Sequence, residues 1–268
     1  MALKRRDFLK LTGLAVAGGA ATAVVEGITG KNEVKASVGE SFRESPKALK
    51  AKQWAMVIDV KKCVEGRKNG CGRKCIEVCN YLHNIPHIPN KKHEIKWIWD
   101  DEFEHVFPDL ATNEFLAEVM AGTPFLLLCN HCAHPPCVRV CPTKATFKNE
   151  EGIVMMDFHR CIGCRFCMAA CPYGARSFNW EDPRPYIKRV NPKYPTRTKG
   201  VVEKCLFCYE RLVDGKLPAC VEACPVNALI FGDLEDENSE VRKILEERKS
   251  IVRKVELGTG PSVFYLID

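Results

Sequence analysis

Cys161-Ile162-Gly163-Cys164-Arg165-Phe166-Cys167-Met168-Ala169-Ala170-Cys171-Pro172 is the stretch from which the rest of the chain is read. Its spacing, C-x2-C-x2-C-x3-C-P, is a ligand run for cubane [4Fe–4S] clusters. The first three thiols wrap one cluster in a tight loop, and the fourth ligates the other cluster of a pair. Gly163 permits the sharp backbone turn this needs. Pro172 has no amide hydrogen to donate and restrains the chain as it leaves.

Working outward, all sixteen cysteines fall into four groups of four, with none left over. The group before is Cys129, Cys132, Cys137 and Cys141, with one gap stretched by His134-Pro135-Pro136. The group after is Cys205, Cys208, Cys220 and Cys224, stretched over Tyr209–Ala219. Each of these ends in Cys-Pro. The outlying group is Cys63, Cys71, Cys75 and Cys79, where seven residues separate the first pair and Asn80 replaces the proline. The grouping predicts four [4Fe–4S] clusters, the one at Cys63, Cys71 and Cys75 matching the pattern least well. Disulfides would suit an exported chain with an even cysteine count, but thiols this dense do not form independent bridges. Zinc takes two C-x2-C knuckles rather than this run, and competes best at the first group. His131 and His134 lie inside the second group and read as loop residues or donors to cluster sulfur.

The formal net charge of +6 counts cysteine as neutral. Four oxidised cubanes with their thiolates add about −8 and bring the loaded chain to about −2. Basic residues beside the ligands (Lys61, Lys62, Lys74, Arg139, Arg160, Arg165 and Lys204) then offset cluster charge, although any one of them also reads as an ordinary solvated side chain. Nothing else supports nucleic-acid binding. The chain has no phosphate loop, no flavin or nicotinamide fingerprint, no C-x-x-C-H haem site and no convincing nucleophile–base pair.

Lys4-Arg5-Arg6-Asp7-Phe8-Leu9-Lys10 precedes an apolar run from Leu11 to Val25. This reads as a twin-arginine export signal over residues 1–30, either cleaved or retained as an anchor. Residues 31–50 read as a linker. Trp54–Val60 is expected as a strand entering the first cysteine loop, Ile95–Trp99 as a strand, and Thr112–Ala121 as a helix with Phe115, Leu116 and Val119 on one face. Phe125–Leu128 reads as a buried strand, and Trp97, Trp99, Phe103 and Phe107 as core aromatics. Strand-like stretches follow each Cys-Pro (146–148, 175–179 and 228–231), and 152–157 and 201–203 lead into the third and fourth groups. Strand, cluster loop, short helix, strand is thus repeated along the chain. Residues 236–268 hold a charged helix (Val241, Ile244, Leu245) and a closing strand from Ser262 to Ile267. Metal binding contributes to folding in so small a framework, so the iron-free chain should be poorly folded.

Three stretches, CNHCAHPPCVRVCPTKA, GIVMMDFHRCIGCRFCMAACPYGAR and KCLFCYERLVDGKLPACVEACPVNALIFGD, resemble the four-cluster subunits of dimethyl sulfoxide reductase, nitrate reductase and formate dehydrogenase. Within that family the long first gap and the export signal resemble the DsrO/HmeA-type subunit of the DsrMKJOP (Hme) membrane complex. The resemblance implies an α+β fold of two ferredoxin-like lobes, each holding two clusters. One lobe is discontinuous (51–128 with 201–235) and carries groups one and four; the other (129–200) carries groups two and three. It implies crossed ligand sets: Cys63, Cys71, Cys75 with Cys224; Cys205, Cys208, Cys220 with Cys79; Cys129, Cys132, Cys137 with Cys171; and Cys161, Cys164, Cys167 with Cys141. It implies an extracytoplasmic, membrane-associated electron-transfer subunit with no catalytic residues of its own. Its implied partners are a quinone-interacting NrfD-like integral membrane subunit, a multihaem cytochrome c, and cytochrome b-like and heterodisulfide-reductase-like subunits, with menaquinone reached indirectly. The respiration implied is linked to dissimilatory sulfite or sulfate reduction. The alternative is the electron-transfer partner of a molybdopterin oxidoreductase.

Overall fold

Trp54–Asp59 (β1) is buried at all six positions and organises the fold. The computed structural model of the chain describes residues 45–268, so the twin-arginine signal and most of the expected linker lie outside the described residues. The further strands are β2 (Ile98–Glu102), β3 (Pro124–Leu128), β4 (Thr146–Lys148), β5 (Val154–Met156), β6 (Ser177–Phe178), β7 (Val202–Glu203), β8 (Leu229–Asp233), β9 (Ser250–Ile251) and β10 (Val263–Leu266). Four of them form a sheet in the order β8-β1-β10-β9. β1 runs antiparallel to β8, with Met56 opposite Phe231, and parallel to β10, with Met56 opposite Val263. Strand residues alternate between faces. Trp54, Met56 and Ile58 enter the main core, while Ala55 and Val57 meet Val241 and Leu266 beneath the helix Glu240–Glu247. Cover on both faces explains the unbroken apolar run.

The remaining strands pair in twos: β2 with β3, β4 with β5, and β6 with β7. Both expected lobes feed one continuous core, which joins Trp54, Val60 and Phe125 to Ile153, Met156 and Phe207.

Three expectations need correction. β1 stops at Asp59, whose carboxylate accepts from the Lys62 amide at 3.0 Å and caps a helix over Val60–Lys68, so Cys63 rides a helix rather than a loop. The strand expected at Ile95–Trp99 lies three residues later, where Trp99 pairs with Leu127. The helix Glu114–Met120 turns Phe115 and Val119 outward, 81% and 79% exposed, and rests Leu116 and Met120 on the core instead. Leu116 and Met120 are four apart and share a face; Phe115 and Val119 form the adjacent row. Trp97, Phe103 and Phe107 are buried, and Trp99 packs partly buried against them.

Candidate metal centres

The sixteen thiols are all free, and they gather in four clusters. Site I is a void lined by Cys63, Cys71, Cys75 and Cys224, with Leu126 and Val226 in its wall. Cys63 and Cys75 come from the helices Val60–Lys68 and Lys74–Leu82. Gly66 lets the first of these lie against the Cys224 loop: a Cβ there would stand 2.8 Å from Val226 Cγ2. Site II is lined by Cys79, Cys205, Cys208 and Cys220, among His83, Trp97, Leu128 and Phe207. Site III gathers Cys132 with Cys129, Cys137 and Cys171, against Tyr173 and Ala175. Site IV is lined by Cys141, Cys161, Cys164 and Cys167. Gly163 has φ +70° there, and a Cβ on it would meet the Gly200 carbonyl at 2.4 Å, so glycine is required on both counts.

The sites follow one another in a row. Cys75 of site I and Cys220 of site II are close enough for their charges to interact, as are Cys205 of site II and Cys129 of site III, and Cys137 of site III and Cys167 of site IV. A cavity of about 420 Å³ between Phe107, Leu110, Ile251 and Val255 has no cysteine in its lining and lies apart from this chemistry.

Burial drives the thiol chemistry. It pushes Cys75, Cys132 and Cys205 up to about 12, with neighbouring thiols adding to the rise. Cys79, Cys208 and Cys220 are raised too, again chiefly by burial. Cys141 goes the other way: although burial opposes it, hydrogen bonds from Thr146 and Thr143 bring it down. A metal must therefore displace protons from most of these sites.

Several donors face the sulfurs. The Thr146, Phe207 and Ala228 amides donate to Cys141, Cys205 and Cys224 at 3.4, 3.4 and 3.3 Å. Arg176 is buried, donates from Nη2 to Cys137 Sγ at 3.1 Å and from Nη1 to Thr146 Oγ1 at 3.1 Å, and also reaches Cys167. His131 is fully buried and stacks on Phe207 at 3.7 Å. Its Nδ1 accepts from the Val154 amide at 3.1 Å, which leaves the proton on Nε2. Burial, then the charges of Lys204 and Arg176, hold this imidazole well below the usual histidine range. His134 is exposed, on the backbone of the same loop.

Among the described residues, His131 Nε2 and Arg176 Nε are buried without an acceptor. Four thiols per site, amides aimed at sulfur and donors left over fit a cubane with its own acceptor sulfides better than a bare zinc ion. At site II, His83 lies 3.5 Å from Cys79 Sγ and 2.9 Å from Glu210.

Sequence reading missed Arg176, Arg253, His83 and Glu210. It included Lys204 only among residues as readily taken for solvated, yet Lys204 is wholly buried, while Lys61, Lys62, Lys74, Arg139, Arg160 and Arg165 are exposed. Proximity to a ligand along the chain was the only signal available, and it does not report burial.

Among known proteins, a family described as a 4Fe-4S dicluster domain matches residues 123–187, and a second of the same description matches 160–228. The Hdr-like menaquinol oxidoreductase iron-sulfur subunit 1 of Archaeoglobus fulgidus is 41% identical over 98% of this chain and 97% of its own. The menaquinone reductase iron-sulfur cluster-binding subunit of Nitratidesulfovibrio vulgaris is 39% identical, over 80% of this chain and 88% of its own. Protein NrfC of Escherichia coli is 34% identical, over 88% and 92%.

Proposed function

Since the chain belongs to the family of iron–sulfur electron-transfer subunits of menaquinol-oxidoreductase-type complexes, we propose that its four thiol sites act as a single-electron relay between a quinone-interacting NrfD-like membrane subunit and a redox partner such as a c-type cytochrome. Its cofactors are [4Fe–4S] clusters, and it is an electron-transfer subunit rather than a catalytic one. When bound, such clusters supply reversible one-electron chemistry at potentials set by net charge, hydrogen bonds to sulfur and exposure.

The observation that carries the reading is the unbroken row. Each junction brings thiols of neighbouring sites together: Cys75 with Cys220, Cys205 with Cys129, and Cys137 with Cys167. The proposed ligand sets are those four gatherings, two to each proposed ferredoxin-like lobe. The chain's own side chains bury the interior and leave the ends open to partners. Ile162 and Phe166, beside Cys161 and Cys167, are 66% and 60% exposed and offer a docking face at one end. Site I, with its exposed Arg73 and Lys74, is the other end.

We further place the subunit on the extracytoplasmic side, after twin-arginine export, in a complex linked to sulfite or sulfate respiration. The Lys4–Lys10 motif and the 41% identity to the Hdr-like menaquinol oxidoreductase subunit support this. No helix among the described residues is long and apolar enough to cross a membrane.

Purification from native membranes in mild detergent, with mass spectrometry of the companions and an EPR spin count, tests the reading. Four reducible clusters together with an NrfD-like protein, a multihaem cytochrome c and a heterodisulfide-reductase-like subunit are expected. Recovery of a molybdopterin subunit would move the chain to a different complex. Zinc with no acid-labile sulfide would end the relay reading.

A further inference from the structure

Three cations are buried around site III, and among the described residues none of them meets a carboxylate at ion-pair distance. Arg176 stands between Cys137 of site III and Cys167 of site IV. Lys204 stands between Cys129 of site III and Cys205 of site II, its ammonium donating to the carbonyls of Val154 and Cys205. Arg253 lies over the Tyr173 ring at 5.4 Å and donates to the Tyr173 carbonyl, behind Cys132 and Cys171. A buried charge without a counter-charge is strongly unfavourable, so the counter-charge of Arg176 and Lys204, which face the thiols directly, is the sulfur-bound group itself, and Arg253 adds to their field from behind Tyr173.

The other sites differ. At site I, Arg67 is shared with Asp100 at 2.9 Å. At site II, the Glu210 carboxylate faces Cys79 and Cys208, and at Cys205 its charge works against that of Lys204. Site IV has Arg176 on one side, and its outer wall is open, with Ile162 and Arg165 exposed. In a low-dielectric interior a fixed cation stabilises an added electron far more than a solvated one does.

We infer that Arg176, Lys204 and Arg253 give site III the highest reduction potential of the row, so that an electron entering from either end comes to rest at this interior site. No bond forms or breaks; one electron is lost by the donating partner and gained at site III. The three residues are positioning groups that act through the bound cluster. The inference rests on the ligand sets proposed above.

An EPR-monitored redox titration of the intact holoprotein tests it, with Arg176→Gln and Lys204→Met as the probes. The two variants share site III but differ in their second neighbour. Both should lower the first signal to appear on reduction, cutting its reduced-to-oxidised ratio at fixed potential by about tenfold, equivalent to about 59 mV for a one-electron couple. Arg176→Gln should also lower the signal of site IV, and Lys204→Met that of site II; the signal of site I should stay put in both.

Arg176→Lys, which keeps the charge, should restore the wild-type order of potentials. If Arg176→Gln loses iron, Lys204→Met and Arg176→Lys still decide the matter. The inference is overturned if the highest-potential signal moves in neither Lys204→Met nor Arg176→Gln, or if all four signals move together. A wild-type spin count below four would instead overturn the ligand sets.

Discussion

Two buried guanidiniums show how differently this molecule neutralises charge. Arg197 is neutralised by a carboxylate of the protein itself, without any cofactor. Its Nη2 lies 2.7 Å from the Glu203 carboxylate, both side chains are essentially unexposed, and Nη1 and Nη2 also donate to the carbonyls of His83, Asn84 and Pro195, leaving Nε without a partner among the described residues. Glu203 is itself held by Trp97 Nε1 at 3.0 Å and Asn179 Nδ2 at 2.6 Å. Arg176 has a hydroxyl and the sulfurs of Cys137, Cys167 and Met156, and among the described residues no carboxylate at ion-pair distance. The first network holds two segments of protein together; the second is finished only when the thiols carry charge. A buried cation lacking an acid therefore marks where the cofactor's charge belongs.

Removing the iron should break the comparison most severely. With chelator and reductant, Arg176 and Lys204 lose their counter-charge while Arg197 keeps Glu203. The cooperative calorimetric transition is expected to vanish, because cluster binding contributes to folding here. A full-enthalpy transition in iron-free protein would mean that the thiols alone satisfy Arg176. Next in size is Glu203→Gln, which strands Arg197. It should cost about 3–5 kcal/mol in denaturant unfolding and leave the site III potential where it was. A displaced potential would show that the two regions are not independent.

Gly163→Ala presses on both regions at once. The new methyl would meet the Gly200 carbonyl in a left-handed backbone, and Gly200 donates to the Asn179 carbonyl at 2.8 Å, next to the side chain that holds Glu203. A loss of about 1–3 kcal/mol is expected, together with selective loss of the site IV EPR signal. Thr146→Val removes the acceptor of Arg176 Nη1 and should cost about 0.5–1.5 kcal/mol, with a smaller potential shift than Arg176→Gln. The smallest effect belongs to the surface. The hydrogen bond from His105 to Asp101 raises the histidine and lowers the carboxylate. Its histidine contribution is full below pH 6.5 and fades as pH climbs through the raised value. A melting series across that window should drift slightly, with no change in any cluster signal.

Much of this was legible in the sequence, for a physical reason. Cubane ligation dictates residue type and spacing together, so Cys161–Cys171 announces its chemistry without a structure. Apolar runs such as Phe125–Leu128, buried on both faces, announce their strands in the same way. What the sequence withheld depends on three-dimensional surroundings. Lys204 looks like any lysine beside a cysteine, and only its enclosure against the carbonyls of Val154 and Cys205 makes it a buried charge. Arg176 is one residue in a short strand-like stretch and has no pattern of its own. Phe115 and Val119 were misread because a seven-residue helix offers two adjacent apolar rows, and tertiary packing chose between them.

The crossing of site I sets a timetable for biosynthesis. Cys224 follows Cys75 by 149 residues, so at about 5–20 residues per second the proposed ligand set leaves three thiols waiting for their fourth for about 7–30 s. β1 waits longer still, for β10 at the end of the chain. An oxidant met in that interval would cross-link Cys63, Cys71 and Cys75 before the site could close. The nascent chain therefore needs a reducing compartment until its last strand is in place, wherever the finished protein goes to work.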